Sequence, residues 1–276
     1  MNKPEPKTRR KLNAEQLEVL ELLYKFRFGS NNLIADYFGK KDRSFVFKRL
    51  TILLEQGLIG KRFEPSYRIQ GKPAAYYLTP AGARKVQEHR EDKDEVNIKS
   101  IYKDKTVSEG FIRHCLQIFA LYNQLKAEYD DKLNFFTKSD LAGYEHFPPS
   151  LPDAFLSLSV SDTKHFFLDV IDDNQPFFAA VRKIKQYLGF KSDGEWTLTE
   201  TEFPAILLIC ESTSTQKRLQ KRIIATLNKS LEDDIVFAST TIKEIAMLDE
   251  EDTIWQVATD PDNKVPLSSI QNFPLA

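Results

Sequence analysis

The chain has 276 residues, 41% of them apolar and 29% charged, with 13 Pro, 10 Gly and 2 Cys. That composition belongs to a globular protein of one large or two modest domains and excludes collagen-like, disordered and disulfide-stapled classes. The formal net charge of -1 conceals a dipole, because residues 1 to 90 hold 19 Lys and Arg against 9 Asp and Glu while the rest hold 20 against 31. A small basic domain is the footprint of a polyanion binder, since each neutralised phosphate releases condensed counterions. The acidic remainder is expected to repel DNA rather than grip it.

Residues 1 to 10 are polar and lack the apolar stretch and cleavage site of a signal peptide. The protein is therefore expected in the cytoplasm, without membrane association. From Asn13 to about Phe28, Leu17, Leu20, Leu23 and Tyr24 recur at helical spacing, and Asn13 with Gln16 forms a capping box. Gly29 and Ser30 break this helix, and Ser30 caps a second one through Tyr37 that Gly39 closes. Asp42 caps a third helix to Gln56, ended by Gly57. On it Val46, Leu50, Leu53 and Leu54 share one face, and Arg43, Ser44, Phe47, Lys48 and Thr51 share the other, which is the expected base-reading surface. Residues 58 to 64 and 74 to 78 predict a two-stranded hairpin, with Lys61 and Arg62 on its first strand and Tyr67, Arg68 and Lys72 at its tip as further DNA-contacting residues. Thr79-Pro80 opens a fourth helix, where the missing proline N–H costs nothing.

This run resembles the winged helix-turn-helix family of bacterial DNA-binding proteins, notably in Leu53-Leu54-Glu55-Gln56-Gly57-Leu58-Ile59 and Tyr77-Leu78-Thr79-Pro80-Ala81-Gly82-Ala83. The resemblance implies double-stranded DNA as partner, with the third helix in the major groove and the wing on neighbouring phosphates.

Residues 91 to 107 are dense in charge and predict a solvated linker. Ser108 caps a helix to about Tyr129 whose wide apolar arc implies burial on two sides, with His114 and Cys115 inside it. Beyond it come strands at 133 to 137, within 151 to 160, whose second half alternates large and small side chains, and at 165 to 171, then a helix from Pro176 to Leu188 and a strand at 205 to 210. A helix at 215 to 231 and a strand at 235 to 238 complete a mixed sheet flanked by helices. The run Pro204 to Cys210 is the longest apolar stretch, far below the roughly 20 residues that cross a bilayer. Cys115 and Cys210, each flanked by apolar residues, are expected to be buried thiols. The domains are thus 1–90, a linker 91–107, an α/β domain 108–258 and a tail 259–276, an α+β organisation.

Pro152-Asp153 followed by Asp169 late in the next strand resembles the PD-(D/E)xK nuclease superfamily and implies a restriction-endonuclease-like fold. There, two carboxylates hold Mg²⁺ and a lysine two residues after the second orients the attacking water. Asp153 and Asp169 match the carboxylates and are the implied metal ligands, but Ile171 occupies the lysine position. Three alternatives stand: Lys183 or Lys185 supplies a relocated lysine, Asp172 adds a third carboxylate, or the scaffold is inactive, needs no cofactor and uses Asp153 to cap a turn.

The order winged helix, Leu151-Pro152-Asp153-Ala154, Phe166-Phe167-Leu168-Asp169-Val170, a Lys183 to Tyr187 helix end, Phe203-Pro204 and a late Ile254-Trp255 resembles the replication-relaxation family over about residues 13 to 256. The resemblance implies an accessory role in plasmid or mobile-element replication or mobilisation, binding DNA near an origin. It also implies that a relaxase or replication initiator is the protein assisted there; the leading reading has the acidic domain dock such a partner or a second copy. The other readings are a Mg²⁺-dependent nuclease and a winged-helix transcriptional regulator.

Overall fold

The structure, a computed structural model, describes residues 11–90, 101–199, 201–229, 235–248 and 253–270. The chain divides into two units, Met1–Phe119 and Ala120–Ala276.

In the first unit, α1 (Ala14–Phe26) begins at the expected capping box. Gln16 N donates to Asn13 Oδ1 at 2.8 Å and Asn13 N donates to Gln16 Oε1 at 3.1 Å. After β1 (Phe28–Ser30), α2 (Asn31–Tyr37) is capped by Ser30, whose Oγ accepts from Leu33 N at 3.2 Å. Gly39 after α2 and Gly57 after α3 (Ser44–Glu55) sit at φ +62 and +70, a region where a side chain would strain the backbone. Then come β2 (Ile59–Arg62), α4 (Pro65–Ile69), β3 (Ala75–Leu78) and α5 (Pro80–His89). The strands pair antiparallel in the order β1-β3-β2, so three helices and a wing form a winged helix. Sequence reasoning treats Gly29-Ser30 as a bare break, whereas those residues pair with Tyr76 and Ala75. Three residues are too few to carry a period-two signal.

The Leu78-Thr79-Pro80-Ala81-Gly82 motif has a physical basis. Thr79 Oγ1 accepts from Gly82 N at 3.2 Å and lies 2.7 Å from Gly57 O and 2.9 Å from Leu58 O, tying the start of α5 to the end of the third helix. A Cβ at Gly82 would stand 2.1 Å from Leu58 O. Because that obstacle is backbone, Gly82→Ala is expected to cost about 1–3 kcal/mol by overpacking. Chemical denaturation measures it, and an unchanged midpoint would contradict the close approach.

The first unit continues past residue 90. Ile101 is buried, Asp104 is 1% exposed and pairs with Arg27, and the Arg27 guanidinium lies 4.7 Å from the Phe111 ring centroid. Burial pushes the Asp104 carboxyl above its usual range, with Arg27 opposing. Helix α6 (Glu109–Tyr129) is capped by Ser108, places Ile112 and Cys115 in a core with Phe28 and Ala75, and stacks Phe119 on Phe26 at 4.3 Å. So residues 101 to 119, read from sequence as linker and second domain, pack in the first unit. Their charge density hides the partner that Arg27 supplies to Asp104. Residues 91–100 of the expected linker lie outside the described residues.

In the second unit, β4 (Leu133–Thr137), β5 (Ala154–Ser159) and β6 (Thr163–Ile171) form an antiparallel meander, with α7 (Lys138–Leu141) after the first strand. Helix α8 (Phe177–Ser192) leads to β7 (Ala205–Cys210), parallel to β6, and α9 (Thr213–Leu227) leads to β8 (Phe237–Thr241), parallel to β7. After α10 (Ile242–Ile245), β9 (Trp255–Val257) and β10 (Lys264–Val265) extend the sheet to seven strands, β10-β9-β8-β7-β6-β5-β4. Phe167, Ile206 and Leu208 face Ile184, Tyr187, Leu219 and Ile223 of α8 and α9 in one core. Strands β9 and β10 are too short to read from pattern. Part of the expected tail is docked: Leu267 and Ile270 are buried, and Lys164 Nζ donates to Ser268 O at 2.5 Å and Ile270 O at 3.0 Å. Residues 271–276 lie outside the described residues. Both cysteines are buried and outside any disulfide, and burial pushes the Cys210 thiol up to about 12. Among the described residues, no helix is long and apolar enough to cross a membrane.

Candidate functional site

Helix α3 presents the expected face. Val46, Leu50 and Leu53 are buried, whereas Arg43, Ser44, Phe47 and Lys48 are exposed and Thr51 is half-buried. The spacing of 3.6 residues per turn puts the two sets on opposite sides. Phe47 is 54% exposed and belongs to the surface, not to the core. Asp42 holds the helix start: its Oδ1 accepts from Ser44 N at 2.9 Å and its Oδ2 from Ser44 Oγ at 2.7 Å. These bonds, the hydroxyl first, keep the Asp42 carboxyl below its usual range. Thr51 Oγ1 donates back to Phe47 O at 2.9 Å, so its hydroxyl hydrogen is engaged within the helix. Lys40 and Lys41 are exposed in the turn before α3, and their only signal in the sequence is their position beside a helix start.

The wing divides its expected set. Lys61 and Lys72 are exposed, each near an aromatic ring, at 5.0 Å from Phe63 and 5.9 Å from Tyr67. Arg62 is turned inward: Nη2 pairs with Glu109 Oε1 at 2.9 Å and Nη1 donates to Lys105 O at 3.0 Å and Val107 O at 3.2 Å. Tyr67 is 5% exposed and donates its hydroxyl to Glu109. Burial, then Glu109, pushes its hydroxyl up to about 12. Both residues therefore anchor the wing to α6 within the first unit, where these donor groups are already engaged. Their sequence positions near a hairpin tip give no hint of Glu109, more than forty residues on. The side chain of Arg68 lies outside the described residues. Arg62→Met is expected to lower stability by about 1–2 kcal/mol, the loss of hydrogen bonds to a charged donor, with DNA affinity unchanged. A loss of affinity without a loss of stability would return Arg62 to the interface.

The second group of expected site residues lies in the other unit. Pro152-Asp153 opens β5, and Asp153 and Asp169 are brought together: Asp153 N donates to Asp169 Oδ1 at 3.1 Å, and Asp153 Oδ2 accepts from Val170 N at 2.9 Å. Each carboxylate also carries a lysine. Lys138 Nζ lies 2.6 Å from Asp153 Oδ1, and Lys183 Nζ lies 2.8 Å from Asp169 Oδ1 and donates to Leu151 O at 3.1 Å. Tyr187 donates its hydroxyl to Asp169 Oδ2 at 2.5 Å. Lys183 and Tyr187 stand four apart on α8, one turn on one face, which explains their pairing in the sequence. Asp153 is 6% and Asp169 2% exposed. Burial pushes the Asp169 carboxyl up against the pull of Lys183, and burial with the Asp169 charge pushes the Tyr187 hydroxyl well up.

These donors do not fit a divalent cation. Mg²⁺ needs open carboxylate oxygens and keeps several waters, whereas here two ammonium groups, a phenol and two backbone N–H groups occupy the oxygens of both carboxylates. Among the described residues no group of three or more His, Cys, Asp or Glu is placed to hold a metal. Asp172 turns to Asn174, accepting from its N at 2.8 Å and its Nδ2 at 2.9 Å, so its carboxylate closes the turn after β6. Ile171 packs against the core at the position a motif lysine would take, and Lys185 is exposed on α8. Sequence reasoning did not anticipate Lys138, whose role depends on the β4–β5 pairing.

The class the fold defines is a two-unit protein: a winged helix that exposes a basic face on its third helix, then a mixed-sheet unit whose paired carboxylates are matched by internal lysines. The chain belongs to the replication-relaxation family, whose model matches residues 20–206. Membership carries a replication-related, DNA-binding role. No curated protein matches the chain significantly. Among solved structures, two mutants of ZitR from Lactococcus lactis align at 18% and 20% identity over 46% and 47% of this chain and 82% of theirs, each with a TM-score of 0.26.

Proposed function

We propose that the protein is a double-stranded DNA-binding accessory factor of plasmid or mobile-element replication or mobilisation. In this reading α3 enters the major groove near an origin, Arg43 and Lys48 reach base edges or flanking phosphates, and Lys40, Lys41, Lys61 and Lys72 add phosphate contacts. The second unit, a mixed sheet with helices packed on it, docks a relaxase, a replication initiator or a second copy and does not cleave DNA. The observation that carries the reading is the exposed Arg43, Ser44, Phe47 and Lys48 face on a helix whose opposite side is core. Neutral internal pairing at Asp153 and Asp169 favours a scaffold over a nuclease. Footprinting on the origin region of the element that encodes the protein tests it. A discrete protected site supports the reading, and uniform protection or none contradicts it.

A further inference from the structure

The acidic average of the second unit hides a basic helix. Between Ser212 and Lys229 there is no acidic residue. On α9, Lys217, Arg218, Lys221 and Arg222 are all exposed, at positions i, i+1, i+4 and i+5, which spreads them along one side of the helix. The opposite side is core: Gln216, Leu219, Gln220 and Ile223 are buried. The small, exposed Ser214 and Ala225 flank the cations on the outer side, so a bulky partner can approach the helix closely. None of the four cations forms an ion pair among the described residues. Arg218 is the exception to a fully solvated set, since its guanidinium stacks 3.9 Å from the Phe177 ring centroid on α8. Lys185, also exposed on α8, adds a further positive charge on the neighbouring helix.

Structural needs do not account for this strip. An exposed helix face that served solubility alone would mix charges of both signs, as i,i+4 pairs stabilise a helix and like charges at that spacing oppose it. Here Lys217 and Lys221, and Arg218 and Arg222, are like pairs at that spacing. Such a face is stabilised when polyanionic phosphates neutralise it.

We propose that the outer face of α9 is a second DNA-backbone contact, sequence-independent and separate from the winged helix. The proposal rests on the reading that the chain binds duplex DNA, and charge complementarity selects a phosphodiester backbone as its occupant. In this arrangement α3 reads the site and α9 adds affinity to any flanking or adjacent duplex.

The test uses the full chain with Lys217→Gln, Lys221→Gln and Arg222→Gln combined. Arg218 stays, because it covers Phe177, and Gln preserves helix propensity. Fluorescence anisotropy follows binding to the footprinted duplex and to a short duplex of random sequence across a salt series, beside Arg43→Ala/Lys48→Ala. Each phosphate contact contributes about 0.9 to the slope of log affinity against log salt. The triple variant is expected to lose about two to three of that slope and to weaken roughly tenfold or more, equally on both duplexes, whereas the α3 variant loses preference for the footprinted site. A folded triple variant with wild-type slope and affinity would overturn the second contact while leaving the winged-helix reading intact. Failure of the wild type to bind either duplex would overturn both. Wild-type DNA binding by the triple variant, together with loss of binding to polyglutamate, would assign the face to an acidic protein instead.

Discussion

Lys183→Met is expected to destabilise the protein by about 3–5 kcal/mol, the cost of leaving one member of a buried ion pair without its partner. Asp169 is 2% exposed, and Lys183 is its only ammonium partner among the described residues. Tyr187 and Asp153 N would still donate to the carboxylate, which puts the loss toward the lower end. The loss also carries a pH signature. The folded Asp169 carboxyl lies above its unfolded value because of burial. Between the unfolded value of about 3.9 and the folded one, the native state holds a proton that the unfolded chain has released. This group's contribution is therefore fully present below the unfolded value and falls as pH rises through the folded one. Lys183 pulls the folded value down, so removing it extends the window upward. The deficit of the variant should grow from about pH 4 toward pH 7 as the unpaired charge becomes harder to neutralise. Urea denaturation at both ends checks this. A small deficit independent of pH would mean that the pair is solvated and that Asp169 is open to other ligands.

The second large effect is expected on DNA. Arg43→Ala or Lys48→Ala should each weaken binding to the cognate duplex by about 1–3 kcal/mol where the side chain reads a base, roughly 5- to 150-fold. Neither side chain is buried or ion-paired among the described residues, so both variants should fold normally. If both bind with wild-type affinity, α3 is not the reading helix. If either weakens cognate and random duplex alike and lowers the salt slope by about one, that residue holds a phosphate.

Much of the first unit was legible because its signals are local. Asn13 with Gln16, Ser30, Gly39, Gly57 and Thr79-Pro80 mark helix ends through bonds that span only a few residues. The amphipathic split of α3 follows from 3.6-residue periodicity alone. What the sequence concealed depends on distant partners. Arg62 and Tyr67 look like wing-tip donors until Glu109 arrives from α6. Asp104 looks like linker charge until Arg27 covers it. In the second unit, Asp153 and Asp169 were found by spacing, and the structure does bring them together. Lys183 and Tyr187 from α8, which the sequence offers as a motif pair, complete their environment together with Lys138 from the start of α7, and only Lys138 has no motif position that reserves it. Bulk charge conceals local detail, since an average over many residues cannot register one helix whose charged residues are all cations.

The central claim is that this protein binds duplex DNA through its winged helix and does not cut it. One measurement addresses both parts: the purified protein is incubated with labelled duplex from its own genetic neighbourhood, with and without Mg²⁺ or Mn²⁺, and retardation and cleavage are scored on the same gel. A salt-sensitive shift, lost in Arg43→Ala/Lys48→Ala and unaccompanied by cleavage in either metal, is the expected result. Metal-dependent cleavage abolished by Asp153→Ala would contradict it, because that carboxylate would have to exchange Lys138 for a cation.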